Sequence, residues 1–174
     1  MRGVVFGILA YSALLSESAW GWMFRHARPF FAAPELGLLL VVYLGLCGRG
    51  GPIALTAAAL AIGYLRDLLV GAPRGVEALA FALCALVARA LHGRVFLDRW
   101  GQLAVVGAAF ASLHALLLLL FAPGDFTLGT LVPIVVSALC FGPIVLVILR
   151  HVDARVAPEQ RSLSLDRDVG ARWR

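Results

Sequence analysis

The fold class this sequence predicts is all-α: a membrane-embedded bundle of six transmembrane helices. Three observations point to it. Hydrophobic residues fill 61% of the 174 positions and charged ones only 14%, which is too apolar for a soluble domain of this length. The apolar residues gather into six runs, parted by connections that contain Gly, Pro and Arg. All fifteen basic residues are arginines, and most lie between the runs or in the C-terminal tail, where residues that set membrane topology belong. With the runs set aside no basic face remains, so the net charge of +5 does not point to nucleic acid.

The first run, residues 4–22, ends in Trp20 and Trp22 as an interfacial belt. A cleaved signal peptide is disfavoured, because a cut after Ala19 would place Glu17 at the −3 position; the run reads as a retained anchor. Near its start, Gly3-x-x-x-Gly7 allows close helix approach. A polar and aromatic connection over 23–34 carries Arg25, Arg28, Phe30 and Phe31. The second run, 36–47, has twelve residues, or ~18 Å of helix against a hydrocarbon core of ~30 Å. It must be extended by its flanks, break as a half-helix or sit within protein, and short helices usually pack inside a bundle.

Residues 53–71 form the third run, with Ala54, Ala57, Ala58 and Ala61 as its small face. The fourth, 76–92, opens with Glu77, closes with Arg89 and has Ala78-x-x-x-Ala82 for packing. Residues 93–100 alternate basic and apolar side chains and read as a connector lying flat among lipid headgroups, with Arg94, Phe96, Arg99 and Trp100 as its interfacial anchor. The fifth run, 102–122, carries His114 near its centre and Gly107, Ala111 and Ala115 on one stripe. Pro123-Gly124-Asp125 is a turn, and the sixth run, 128–149, contains Pro133 and Gly142-Pro143, where a kink is expected. Residues 1–150 thus form one six-span domain, and 151–174 a charged tail expected to be poorly ordered. Six spans place both termini on one side. That side holds Arg2, Arg49, Arg94, Arg99, Arg150, Arg155 and Arg161, against Arg25, Arg28 and Arg74 on the other, so both termini are expected in the cytoplasm.

The stretch from Gly63 to Gly75 sets Arg66 and Asp67 inside an apolar helix and ends that helix with Gly71, Ala72 and Pro73. A charge near the middle of a bilayer costs about 2.5–3.5 kcal/mol on insertion scales, so such a group is turned inward, paired or functional. Asp67 reads as half of a structural ion pair or as a helix cap, with Arg66 snorkelling outward and Arg74 as a further partner; a role in binding or proton movement is the other reading. Glu77 lies in a first helical turn, where the dipole favours a carboxylate, and Glu17 sits one turn from the Trp belt, where it can reach water. His114 reads as a hydrogen bond across helices through one ring nitrogen. A metal site would need further ligands, and neither His-x-x-His nor Glu-x-x-His occurs. Cys47, Cys84 and Cys140 fall within apolar runs and read as buried small hydrophobes. No P-loop, Gly-x-Ser-x-Gly or Asp-rich metal motif is present, and the chain reads as a non-enzyme without a cofactor.

Three features occur in order: Glu35 before a short apolar run that ends in Gly48-Arg49-Gly50; Gly63-x-x-x-Asp67-x-x-x-Gly71-x-Pro73-x-Gly75; and an apolar span closing in Arg94-Val95-Phe96-Leu97-Asp98-x-Trp100. This order, over about residues 33–105, resembles the MreD family of rod-shape-determining proteins. The resemblance implies a non-enzymatic scaffold of the cell-elongation machinery in the bacterial inner membrane. It implies MreC as partner and, with it, the peptidoglycan glycosyltransferase RodA and its class B penicillin-binding protein. It also implies a fold similar to the S-components of energy-coupling-factor transporters, and it singles out Gly63, Asp67, Gly71, Pro73 and Gly75, which with the intramembrane Arg66 and the helix-start Glu77 are the candidate structural or partner-binding residues. That fold supplies the alternative function, a substrate-binding subunit for a vitamin or cofactor. Such a subunit needs several convergent polar groups in the outer half of the membrane, and this sequence offers few beyond Arg66, Asp67, Arg74 and Glu77.

Overall fold

The structure, a computed structural model, describes residues 2–23, 35–48, 51–70, 75–95, 100–121 and 128–156. Among them every regular element is helical: α1 (Arg2–Met23), α2 (Leu36–Leu46), α3 (Pro52–Val70), α4 (Val76–Ala90), α5 (Trp100–Phe121) and α6 (Leu128–Val156). Three are long and apolar enough to cross a membrane, through Pro52–Leu69, Trp100–Phe121 and Val132–Arg155; Val4–Trp20 and Leu36–Leu46 are shorter apolar stretches.

The short second run is the centre of the bundle. Gly37 through Tyr43, Gly45 and Leu46 are all buried, so α2 presents no free face. A helix that is apolar all round belongs inside, and α2 is sheathed by the other five. Those helices turn large apolar side chains outward: Val4, Ile8 and Tyr11 on α1, Leu60, Tyr64 and Leu68 on α3, and Val105, Leu116 and Leu120 on α5, among others. A core on the inside and a greasy coat on the outside is the pattern lipid requires.

Glycine sets the closest approaches. A Cβ at Gly63 would lie 2.5 Å from the Ala78 Cα and 2.7 Å from the Glu77 carbonyl oxygen, so α3 and α4 touch backbone to backbone. At Gly45 it would meet the Ala88 Cβ at 2.8 Å, which seats α2 on α4. On α5 the expected stripe of Gly107, Ala111 and Ala115 is buried, and Gly107 faces Ala138 and Gly142 of α6. The stripe expected on α3 is not the packing face. Ala54, Ala57 and Ala61 point outward, while Leu55, Ala59, Ile62, Gly63 and Asp67 point in. In a span apolar on both sides, small size alone does not tell one face from the other. Among the described residues nothing lies within 4 Å of a Cβ at Gly7, so that half of Gly3-x-x-x-Gly7 makes no close helix approach to them. Of the cysteines, Cys84 is buried, Cys47 is half-buried and Cys140 is exposed on the outward side of α6.

Pro133 and Pro143 are carried inside one helix, and α6 continues past residue 149 to Val156, so residues 151–156 belong to the bundle and not to the tail. Asp153 holds this extension. It is buried and accepts a hydrogen bond from the Tyr43 hydroxyl at 3.1 Å. At the end of α2, the His92 Nδ1 lies 2.6 Å from the Leu46 carbonyl oxygen.

Gly63→Ala should therefore destabilise the protein by about 1–3 kcal/mol through overpacking. Gly7→Ala should be neutral. Thermal unfolding of the two variants in the same detergent or nanodisc measures the difference.

Candidate functional site

At one end of the bundle α1 and α3 finish while α2 and α4 begin. The first N–H groups of a helix lack partners within it, and away from water each must be satisfied by other parts of the protein. Glu35, at the N-cap position of α2, makes no side-chain cap. The cap comes instead from α1, where the Glu17 Oε1 accepts from the Gly37 N–H at 2.7 Å. The helix that follows repeats the device. Asp67 of α3, only 1% exposed, accepts from the Gly75 N–H at 2.7 Å and from the Glu77 N–H at 3.2 Å, capping α4 from outside. Gly75 itself has φ +97°, a left-handed turn that glycine adopts without strain.

Because these caps come from neighbouring helices, the carboxylates of Glu35 and Glu77 are free to face into the bundle, and His114 of α5 stands between them. Its Nδ1 lies 3.0 Å and 3.1 Å from the two Glu35 oxygens, and its Nε2 lies 2.8 Å from the Glu77 Oε2. The imidazole is wholly buried. Arg66 completes the cluster. Its Nε is 3.6 Å from Glu17, its Nη2 3.5 Å from Glu35 and its Nη1 3.6 Å from Glu77. Phe81 forms the apolar wall, with the guanidinium 5.6 Å above its ring and the His114 ring edge-on at 5.3 Å. Five ionisable side chains, one from each of α1, α3, α4 and α5 and one from the N-cap of α2, thus meet in one place.

Several sequence expectations are corrected here. Arg66 does not snorkel outward; three carboxylates draw it inward, and Asp67 spends its oxygens on backbone N–H groups instead of on its neighbour. Glu17 does not reach water but is buried as a cap. His114 uses both ring nitrogens where one was expected. Glu77 sits at the helix start as expected and in addition contacts His114 and Arg66. Gly63, Arg66, Asp67, Gly75 and Glu77 come together at the α3–α4 joint, while Gly71, Pro73 and Arg74 lie outside the described residues. Of the interfacial set, Arg94 is exposed in the turn after α4 and Trp100 is exposed at the first residue of α5; Phe96 and Arg99 lie outside the described residues. Sequence reasoning gave no part in the site to Glu17 or Glu35. The available signal was that Glu17, like Asp67, is a carboxylate within an apolar run.

Among the described residues no group of three or more His, Cys, Asp or Glu side chains is arranged to hold a metal ion. What the arrangement does is tie helices together through charge. Arg66→Met should leave three buried carboxylates facing no guanidinium and cost about 3–5 kcal/mol. Asp67→Ala should cost about 1–3 kcal/mol by stranding two N–H groups. Thermal unfolding and the yield of monodisperse protein check both. Comparison of the chain with protein-family models, with curated proteins and with solved structures finds no match.

Proposed function

We propose that this chain is a non-enzymatic membrane scaffold of the MreD type, a six-span protein of the bacterial inner membrane with both termini in the cytoplasm. In this reading it binds MreC and, directly or through MreC, helps to organise RodA and its class B penicillin-binding protein. The observation that carries the reading is the joint built by the Gly63-x-x-x-Asp67…Gly75 block. Gly63 brings two backbones into contact and Asp67 caps the start of α4, so residues behind the family resemblance fix how α3 and α4 stand against each other. The polar groups of this half converge on one another: Arg66 and His114 take up Glu17, Glu35 and Glu77. That favours a scaffold over a vitamin-binding subunit, whose polar groups must be left to a ligand.

The long apolar helices and the outward-facing apolar side chains support the membrane location, and the arginine distribution supports the orientation. In lipid, partner helices associate by close packing and not by water exclusion, because the tails are as apolar as the helices. The faces of α1 and α3 supply such surfaces.

Asp67→Ala and Gly63→Ala should each reduce co-purification with MreC from native membranes; unchanged complex yield and unchanged cell shape remove the joint from the account. A small-molecule panel should leave the melting temperature unmoved, whereas the protein partner should raise it. For the orientation, a cysteine in place of Arg94, on a background without the native cysteines, should react with membrane-permeant reagents and resist impermeant ones applied outside intact cells. Outside labelling would invert it.

A further inference from the structure

The contacts of His114 fix a count of hydrogens. Its two ring nitrogens lie 2.8–3.1 Å from carboxylate oxygens on opposite sides. Those are hydrogen-bond lengths, so a hydrogen stands in each gap, and the gaps are too short to seat an ion. A neutral imidazole carries one N–H and an ionised carboxylate carries none, so the chain from Glu35 through His114 to Glu77 is one hydrogen short when all three groups are in their usual neutral-pH forms. We infer that Glu35, His114 and Glu77 form a buried proton-binding site, which takes up one proton beyond the neutral imidazole and needs it to hold the starts of α2 and α4 against α5. The inference stands on the geometry of the cluster and does not depend on the scaffold reading.

The groups that face this chain are those of every helix packed around it. Glu17 of α1 and Arg66 of α3 touch the carboxylates or their neighbours, and Asp67 of α3 caps α4 beside Glu77. Cys84 of α4 is buried close by. The ionisable residues Arg150, His151, Asp153 and Arg155 of α6 stand in its last two turns, at the other end of α2, and Cys140 faces outward. Within the cluster, three carboxylates lie within 3.6 Å of a single guanidinium. A second positive charge lessens that excess. If the proton leaves, one of the two gaps brings acceptor against acceptor, and the groups there must move apart. The sign follows: stability is present while the proton is bound and is lost as pH rises far enough to remove it.

The site has a direct readout. In protein labelled with ¹⁵N-histidine and held in lipid at about pH 8, solvent-exposed imidazoles have lost their second proton. His114 is identified by difference against His114→Gln or, should that variant not fold, in a chain with His26, His92 and His151 replaced by Gln. The expected result is two N–H signals from the buried ring, or one N–H together with a carboxylic-acid carbonyl band in the infrared spectrum that Glu35→Gln or Glu77→Gln removes. A bare ring nitrogen without such a band overturns the inference. A second measurement follows the melting temperature from neutral to alkaline pH. Wild type should lose stability along this limb, and Glu77→Gln, whose amide brings its own N–H to Nε2, should flatten it. A flat wild-type profile, or the same limb in the variant, overturns the coupling of proton to joint.

Discussion

A helix that begins away from water must find partners for its first N–H groups, and much of this molecule follows from how α2 and α4 meet that requirement. Each is capped by a carboxylate on the helix before it, Glu17 for α2 and Asp67 for α4. A cap supplied from the same helix would leave successive helices free to slide. A cap supplied from outside fixes where the preceding helix stands, so the electrostatics of a helix start becomes a constraint on tertiary structure. The same arrangement aims Glu35 and Glu77 inward, and that in turn demands the cations that meet them.

Arg66 is central in the energetic sense because removal and replacement are not symmetric. Burying several charges together gains little over an apolar core of the same shape, yet taking away the one guanidinium leaves uncompensated charge in a medium that cannot screen it. The packing around the cluster is correspondingly tight. Gly63 places the α3 backbone against Ala78, one residue after Glu77, and Phe81, with no exposure, meets both Arg66 and His114. Arg66 and Glu77 lie within a turn of the glycine contact on the same two helices, so that part of the cluster and the contact cannot shift independently.

The elements themselves were legible in the sequence: long apolar runs with Gly, Pro and Arg between them, a second run too short to span the hydrocarbon core unaided, and a Gly-x-x-x-Asp block in which a helix cap is one of the roles open to Asp67. The partners were not. Glu17 and Gly37, or Glu35 and His114, are separated by 20 and 79 positions, and no local pattern links them. Direction was hidden for a second reason. In a soluble helix polarity marks the outer face, whereas α3 is apolar on both, so residue size alone points to Ala54 and Ala57 as the packing side and to Arg66 as outward, the reverse of what the fold does. The end of α6 was misplaced because the change to charged composition at Arg150 marks where the greasy coat stops, not where the helix does.

That last extension matters beyond bookkeeping of helix ends. The phenol of Tyr43 belongs to the innermost rod of the bundle, and the acid it grips stands three residues before α6 finishes. Tension on the eighteen residues that follow Val156 would therefore travel along a rigid lever and pull at the middle of the fold, not at its rim.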